Sequence, residues 1–143
     1  MRSFGASEGA ALQRGDLDAA IELNLRMWLA GPNRSLDEIP AEVREQVAEM
    51  QRDGFRLQKG HYDLRADQLD PPASARLGEV RAPTLVVTGE EDVADIHGIA
   101  DRLVAEISEA TRATIPGAAH LPNLERPDEF DRIVLGFLVE HGV

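Results

Sequence analysis

Three short stretches hold residues whose types and spacing suit chemistry. Gly89-Glu90-Glu91-Asp92 places a carboxylate just after the apolar run Thr84-Leu85-Val86-Val87-Thr88. Pro116-Gly117-Ala118-Ala119-His120 places an imidazole just after Arg112-Ala113-Thr114-Ile115. Gly5-Ala6-Ser7-Glu8-Gly9 fits G-x-S-x-G, the pattern in which a serine nucleophile is presented on a sharp strand-to-helix turn. A carboxylate that holds a histidine through one ring nitrogen leaves the other free as a general base, which can activate a hydroxyl. The order Ser7, Asp92, His120 is one that such triads use. Ser7 fails on context, however. Only Met1-Arg2-Ser3-Phe4 precede Gly5, too few and too polar for a buried strand to aim the serine. Ser7 reads instead as a cap of a helix through Glu8, Ala10, Ala11, Leu12 and Gln13.

The elements that must position Asp92 and His120 are legible in the second half. The run 84–88 is β-branched and almost wholly apolar, as in the interior of a parallel sheet, where both faces are covered. From Ala94, the residues Ile96, Ile99, Ala100, Leu103, Val104 and Ile107 recur at helical spacing. A second strand follows at 112–115, and Pro127 opens a helix carrying Phe130, Ile133, Val134, Phe137 and Leu138. Strand, helix, strand, helix is the α/β pattern of a parallel sheet, whose ligands gather beyond the carboxyl ends of its strands. Asp92 and His120 both emerge there. The first half reads as helical. Asp16 caps a helix bearing Leu17, Ile21, Asn24, Leu25, Trp28 and Leu29, which Gly31-Pro32 stops. Ser35 and Glu38 form a capping-box pattern, and a second helix from about Pro40 presents Val43, Val47, Met50 and Leu57. Residues 60–80 read as a connector broken at Pro71-Pro72.

The stretch from Pro83 to Leu138 resembles the carboxyl-terminal third of an α/β-hydrolase. The resemblance rests on a strand ending G-x-x-D, on IPGAAHLPNLERP with its histidine, and on a closing helix ending Phe137-Leu138. Residues 15–60 are similar, less specifically, to the helical lid of bacterial members, with GDLDAAIELNLRMW as a lid helix. The expected fold class is therefore α/β, a partial α/β-hydrolase fold. Its lid segment would be residues 1–70 and the carboxyl-terminal part of its core residues 71–143. The resemblance implies hydrolysis of a carboxylic ester or lactone, with Asp92 as triad acid, His120 as triad base and no cofactor. It also implies that the family's first strands, oxyanion-hole loop and true nucleophile are absent from this chain. The strand 84–88 would then keep an open edge, suited to self-association. The alternatives are a catalytically inactive fragment, a protein-interaction module built on that edge, or non-hydrolytic chemistry on the same fold.

Other readings of these residues stay open. An aspartate after a strand can simply cap the next helix, as Asp92 or Asp95 could here. His120 could be a solvated loop residue. His61, His97 and His141 read as surface residues, and Glu90 and Glu91 as a solvated face. Asp92, Asp95 and His97 lack the spacing of a metal site. Trp28 is a lid core residue or a pocket wall.

Composition limits the partners. The 143-residue chain has 26 acidic and 15 basic residues, for a formal charge of −11, and no basic stripe. Nucleic-acid phosphates need clustered Lys and Arg, so a nucleic-acid partner is not expected. There is no cysteine, which removes disulfides and thiolate metal sites. No apolar run is long enough to span a bilayer, and the start lacks the apolar stretch of a signal peptide, so the expected location is the cytoplasm.

Overall fold

The computed structural model describes residues 2–59 and 69–142. The expected connector lies partly outside that range, as does His61. In chain order the elements are α1 (Arg2–Gln13), α2 (Leu17–Asn24) with a π-helical continuation (Leu25–Ala30), and α3 (Ala41–Gln58). Then follow β1 (Thr84–Gly89), α4 (Ala94–Glu106), β2 (Ala110–Ile115), a short turn α5 (Pro122–Glu125) and α6 (Pro127–Glu140).

The helical half forms where capping and spacing direct it. Asp16 accepts the Ala19 N–H at 3.1 Å, fixing the start of α2. Gly31 ends the π segment at φ +75°, a left-handed conformation that suits glycine. The Ser35 N–H donates to the Glu38 carboxylate at 2.7 Å, the capping box expected there. It opens a single 3-10 turn, Leu36–Glu38, and α3 starts after Pro40. These bonds from Ser35 hold the Glu38 carboxyl below the ordinary glutamate pKa. One correction concerns α1. Ser7 does not cap it but lies inside a helix that starts at Arg2.

β1 and β2 pair in parallel, with Thr84 opposite Ala110 and Gly89 opposite Ile115. The helix α4 makes the crossover and packs on both strands. The main apolar core lies in the helical half, where Ala11, Ala20, Ile21, Leu25, Leu29, Ile39, Val47 and Phe55 are buried together. The sheet half is less well covered. Leu85, Val86 and Val87 are only half-buried, because among the described residues β1 pairs on one edge alone. No residue of α6 is buried: Phe130, Ile133, Val134, Phe137 and Leu138 are half-covered, and Val139 is 78% exposed. The apolar strand and the amphipathic helix thus leave apolar surface uncovered among the described residues. Among the described residues, no helix is long and apolar enough to cross a membrane.

Candidate active site

The parallel register sets the two strand ends side by side, and the backbone ties the loops leaving them. The Glu90 N–H donates to the Ile115 carbonyl at 3.0 Å, and the Glu91 N–H to the Ala118 carbonyl at 2.9 Å. Gly89 makes the approach possible. A Cβ there would lie 2.0 Å from the Ala119 carbonyl oxygen and 2.2 Å from that of Ala118. Gly31 serves in the same way where the helical half meets the loop, since its Cβ would fall 2.0 Å from the Glu91 carbonyl oxygen.

Asp92 and His120 meet between these loops. Asp92 is buried, with 2% of its side chain exposed, and its Oδ2 lies 2.8 Å from His120 Nδ1. Its other oxygen, Oδ1, accepts the Val93 N–H at 2.8 Å. Asp92 thus does the local turn work of an aspartate after a strand and also faces the imidazole. An ionised carboxylate can only accept, so the imidazole donates from Nδ1 and keeps a lone pair on Nε2. With 39% of its side chain exposed, the histidine remains reachable from solvent. The arrangement can orient an imidazole in one tautomer and stabilise the imidazolium that forms when it takes a proton.

The histidine is also held from the helical half. Its backbone N–H donates to the Trp28 carbonyl at 3.0 Å, and the indole and imidazole centroids lie 4.7 Å apart. Phe4 packs edge-on against Trp28 at 5.8 Å. Ser7 lies inside α1, and shares with Phe4, Leu23, Met27, Pro32 and Val93 the wall of a mostly apolar cleft of about 320 Å³.

Two groups matter here, one absent from the sequence-based expectations and one placed differently by them. Arg34 and Glu125 form an ion pair at 2.7 Å, their side chains 14% and 5% exposed. They lie 91 residues apart, and no local pattern links them. His97, expected at the surface, is half-buried, and its Nδ1 lies 2.8 Å from the Arg112 guanidinium. Arg112 also pairs with Asp101 and donates to Thr88 Oγ1. Asp95 stands in the first turn of α4, and Val93 occupies the cap position. Glu91 is half-buried and accepts from Asn33 at 3.1 Å, so it is not simply a solvated face.

A model of the alpha/beta hydrolase family matches residues 3–133. The putative carbamate hydrolase RutD of Rhizobium rhizogenes is 33% identical over 112 residues, covering 78% of this chain and 40% of that protein. Among solved structures, MenH from S. aureus superposes with a TM-score of 0.74 at 25% identity, covering 99% of this chain and 52% of that one. Est816, described as an N-acyl homoserine lactone degrading enzyme, superposes with a TM-score of 0.63 at 30% identity, covering 92% and 51%. The chain therefore spans about half or less of the length of these relatives. With a matching model over most of its length and a parallel strand-helix-strand unit ending in the expected loops, the chain belongs to the alpha/beta hydrolase family.

Proposed function

We propose that this chain carries the acid and base of a Ser-His-Asp hydrolase acting on a carboxylic ester or lactone. Residues 1–70 would form its lid segment and residues 71–143 the carboxyl-terminal part of its core. Asp92 orients His120, and His120 Nε2 takes the proton of a serine that attacks the substrate carbonyl to form an acyl-enzyme. The same imidazolium returns that proton to the leaving group, and a water repeats the cycle. The carrying observation is the 2.8 Å contact between Asp92 Oδ2 and His120 Nδ1 at adjacent strand ends. Similarity to a lactone-degrading enzyme and to a putative carbamate hydrolase supports an acyl-transfer substrate of this kind. Ser7 is not the proposed nucleophile, because it sits within α1 and not at a strand-to-helix turn.

A chimera tests this reading. This chain replaces the matching segment of the 33%-identical relative, and turnover of a chromogenic ester and a lactone is followed. His120→Ala should lower kcat/KM by about 10²–10⁴-fold, the usual worth of a positioned general base. A chimera that hydrolyses either substrate equally well with alanine at 120 refutes the assignment.

A second reading, an interaction module, is favoured by the half-buried strand β1 and by α6, none of whose residues is buried. Light scattering over a concentration series separates the two. Self-association of a chain that a fluorophosphonate probe does not label, joined to an inactive chimera, supports the module.

A further inference from the structure

Arg34 and Glu125 sit at the junction of the helical half and the His120 loop, and together they use almost every polar atom they own. Arg34 Nη1 donates to the Gly117 carbonyl at 2.7 Å, its Nη2 to the Leu29 carbonyl at 2.7 Å, and its Nε to the Ala30 carbonyl at 3.0 Å. Nη2 also donates to Glu125 Oε2 at 2.7 Å. The second carboxylate oxygen, Oε1, accepts the Ala119 N–H at 2.7 Å. One guanidinium therefore grips the end of the π segment and the loop after β2. One carboxylate grips the residue immediately before His120. Between these anchors the His120 N–H reaches the Trp28 carbonyl, the residue before Leu29.

We propose that Arg34 and Glu125 are a positioning pair that fixes the backbone leading into His120, at Gly117 and Ala119, so that the imidazole stays on Asp92. The pair touches neither the imidazole nor Asp92, so it acts through the loop. The planar guanidinium fork suits the task, because several rigid donors point at fixed acceptors at once. An ammonium keeps the charge but lacks the fork. Burial makes the pair costly to break one partner at a time. Removing one partner leaves a buried charge, whereas two apolar side chains of similar volume strand no charge and take away only the bonds to the backbone. A merely structural pair and a positioning pair thus differ in one outcome: what the double replacement does to His120. The consequence for turnover rests on the assignment of His120 as base. The geometric consequence does not, so the test reads the imidazole itself.

The chain is labelled with ¹⁵N-histidine, and the His120 ring signals are identified by their loss in His120→Gln. Asp92→Asn gives the reference for an imidazole released from its carboxylate. The wild-type ring should sit in the Nδ1–H tautomer. In Arg34→Lys and Glu125→Gln the tautomer ratio should move toward Nε2–H by about tenfold, as expected when a charge-assisted hydrogen bond is lost. The decisive variant is Arg34→Met/Glu125→Met. It strands no charge, so it should melt above Arg34→Met and Glu125→Met alone, and it should still show the shifted ratio, because the Ala119 N–H and the Gly117 carbonyl have lost their partners. A folded double variant with the wild-type tautomer ratio overturns the proposal. So does an Asp92→Asn protein whose ring signals match wild type. A shifted tautomer in variants whose chimeras hydrolyse ester at the unchanged rate would leave the positioning pair standing and overturn the hydrolytic role of His120 instead.

Discussion

Gly89→Ala is the sharpest perturbation of the site, because it changes one methyl group and nothing in the chemistry. The added Cβ would lie 2.0 Å from the Ala119 carbonyl oxygen and 2.2 Å from that of Ala118. Ordinary contact begins near 3.4 Å, so one side has to give by about 1.4 Å. Gly89 itself is poorly placed to move, since it is the last residue of β1 and in register with Ile115, which is fully buried. The His120 loop is the side that yields. A displacement of that size takes the 2.8 Å His120–Asp92 contact out of hydrogen-bonding range. Overpacking of this kind costs about 1–3 kcal/mol. For a chain of 143 residues it should lower the melting temperature by roughly 3–10 °C. Calorimetry gives the first quantity, and the ¹⁵N ring signals of His120 report the second. Gly98→Ala is the matched control: it lies within α4 with nothing within 4 Å of its Cβ position. It should raise stability by about 0.5–1 kcal/mol by restricting the unfolded chain. A Gly89→Ala protein that melts within a degree of wild type and keeps its His120 tautomer would refute the close approach of the two loops.

Two further outcomes follow from the helical half. Gly5→Ala and Gly9→Ala should each stabilise the chain by about 0.5–1 kcal/mol in urea titrations, since both lie in α1 with open space around them. Were Ser7 on a strained nucleophile turn, both changes would destabilise instead. Glu38→Ala should weaken folding at neutral pH, because it removes a carboxylate that the Ser35 backbone N–H first, and the Ser35 side chain second, hold below its ordinary pKa of 4.5. A depressed carboxyl pKa stabilises the fold above the unfolded value, and that stability is lost as pH falls through the folded one. The difference in urea midpoint between Glu38→Ala and wild type should therefore narrow on acidification below 4.5, and a gap constant with pH would contradict it.

The second half was legible because its signals are local. TLVVT is apolar and β-branched and ends at a glycine, and both helical stripes there are regular. Asp92 and His120 follow strands that parallel pairing must bring together, so their meeting could be anticipated from order alone. The strand at 112–115 in fact begins at Ala110, where Ala110 and Thr111 carry little apolar signal. Serine's preference for caps and the helix formers after it put the start of this helix at Ser7, whereas packing of Phe4 on Trp28 and of Ala11 in the core accompanies a helix that begins at Arg2. The π-helical segment 25–30 has no composition that sets it apart from an α-helix. Arg34 and Glu125 were invisible for a different reason. Each looks like an ordinary surface charge, and only the fold buries them against each other. His97 was hidden in the same way, its partner Arg112 lying on the next strand.

The bond from the His120 backbone to Trp28 has a consequence for how such chains can be recombined. The last turn of the π segment and the loop after β2 share a network of main-chain and guanidinium bonds. A crossover between residues 40 and 80 would separate Trp28 and Arg34 from the loop they support whenever the two parents differ at either end. Residues 28–34 and 117–125 should therefore be inherited together, as one discontinuous cassette, whatever is done with α3 and the segment that follows it.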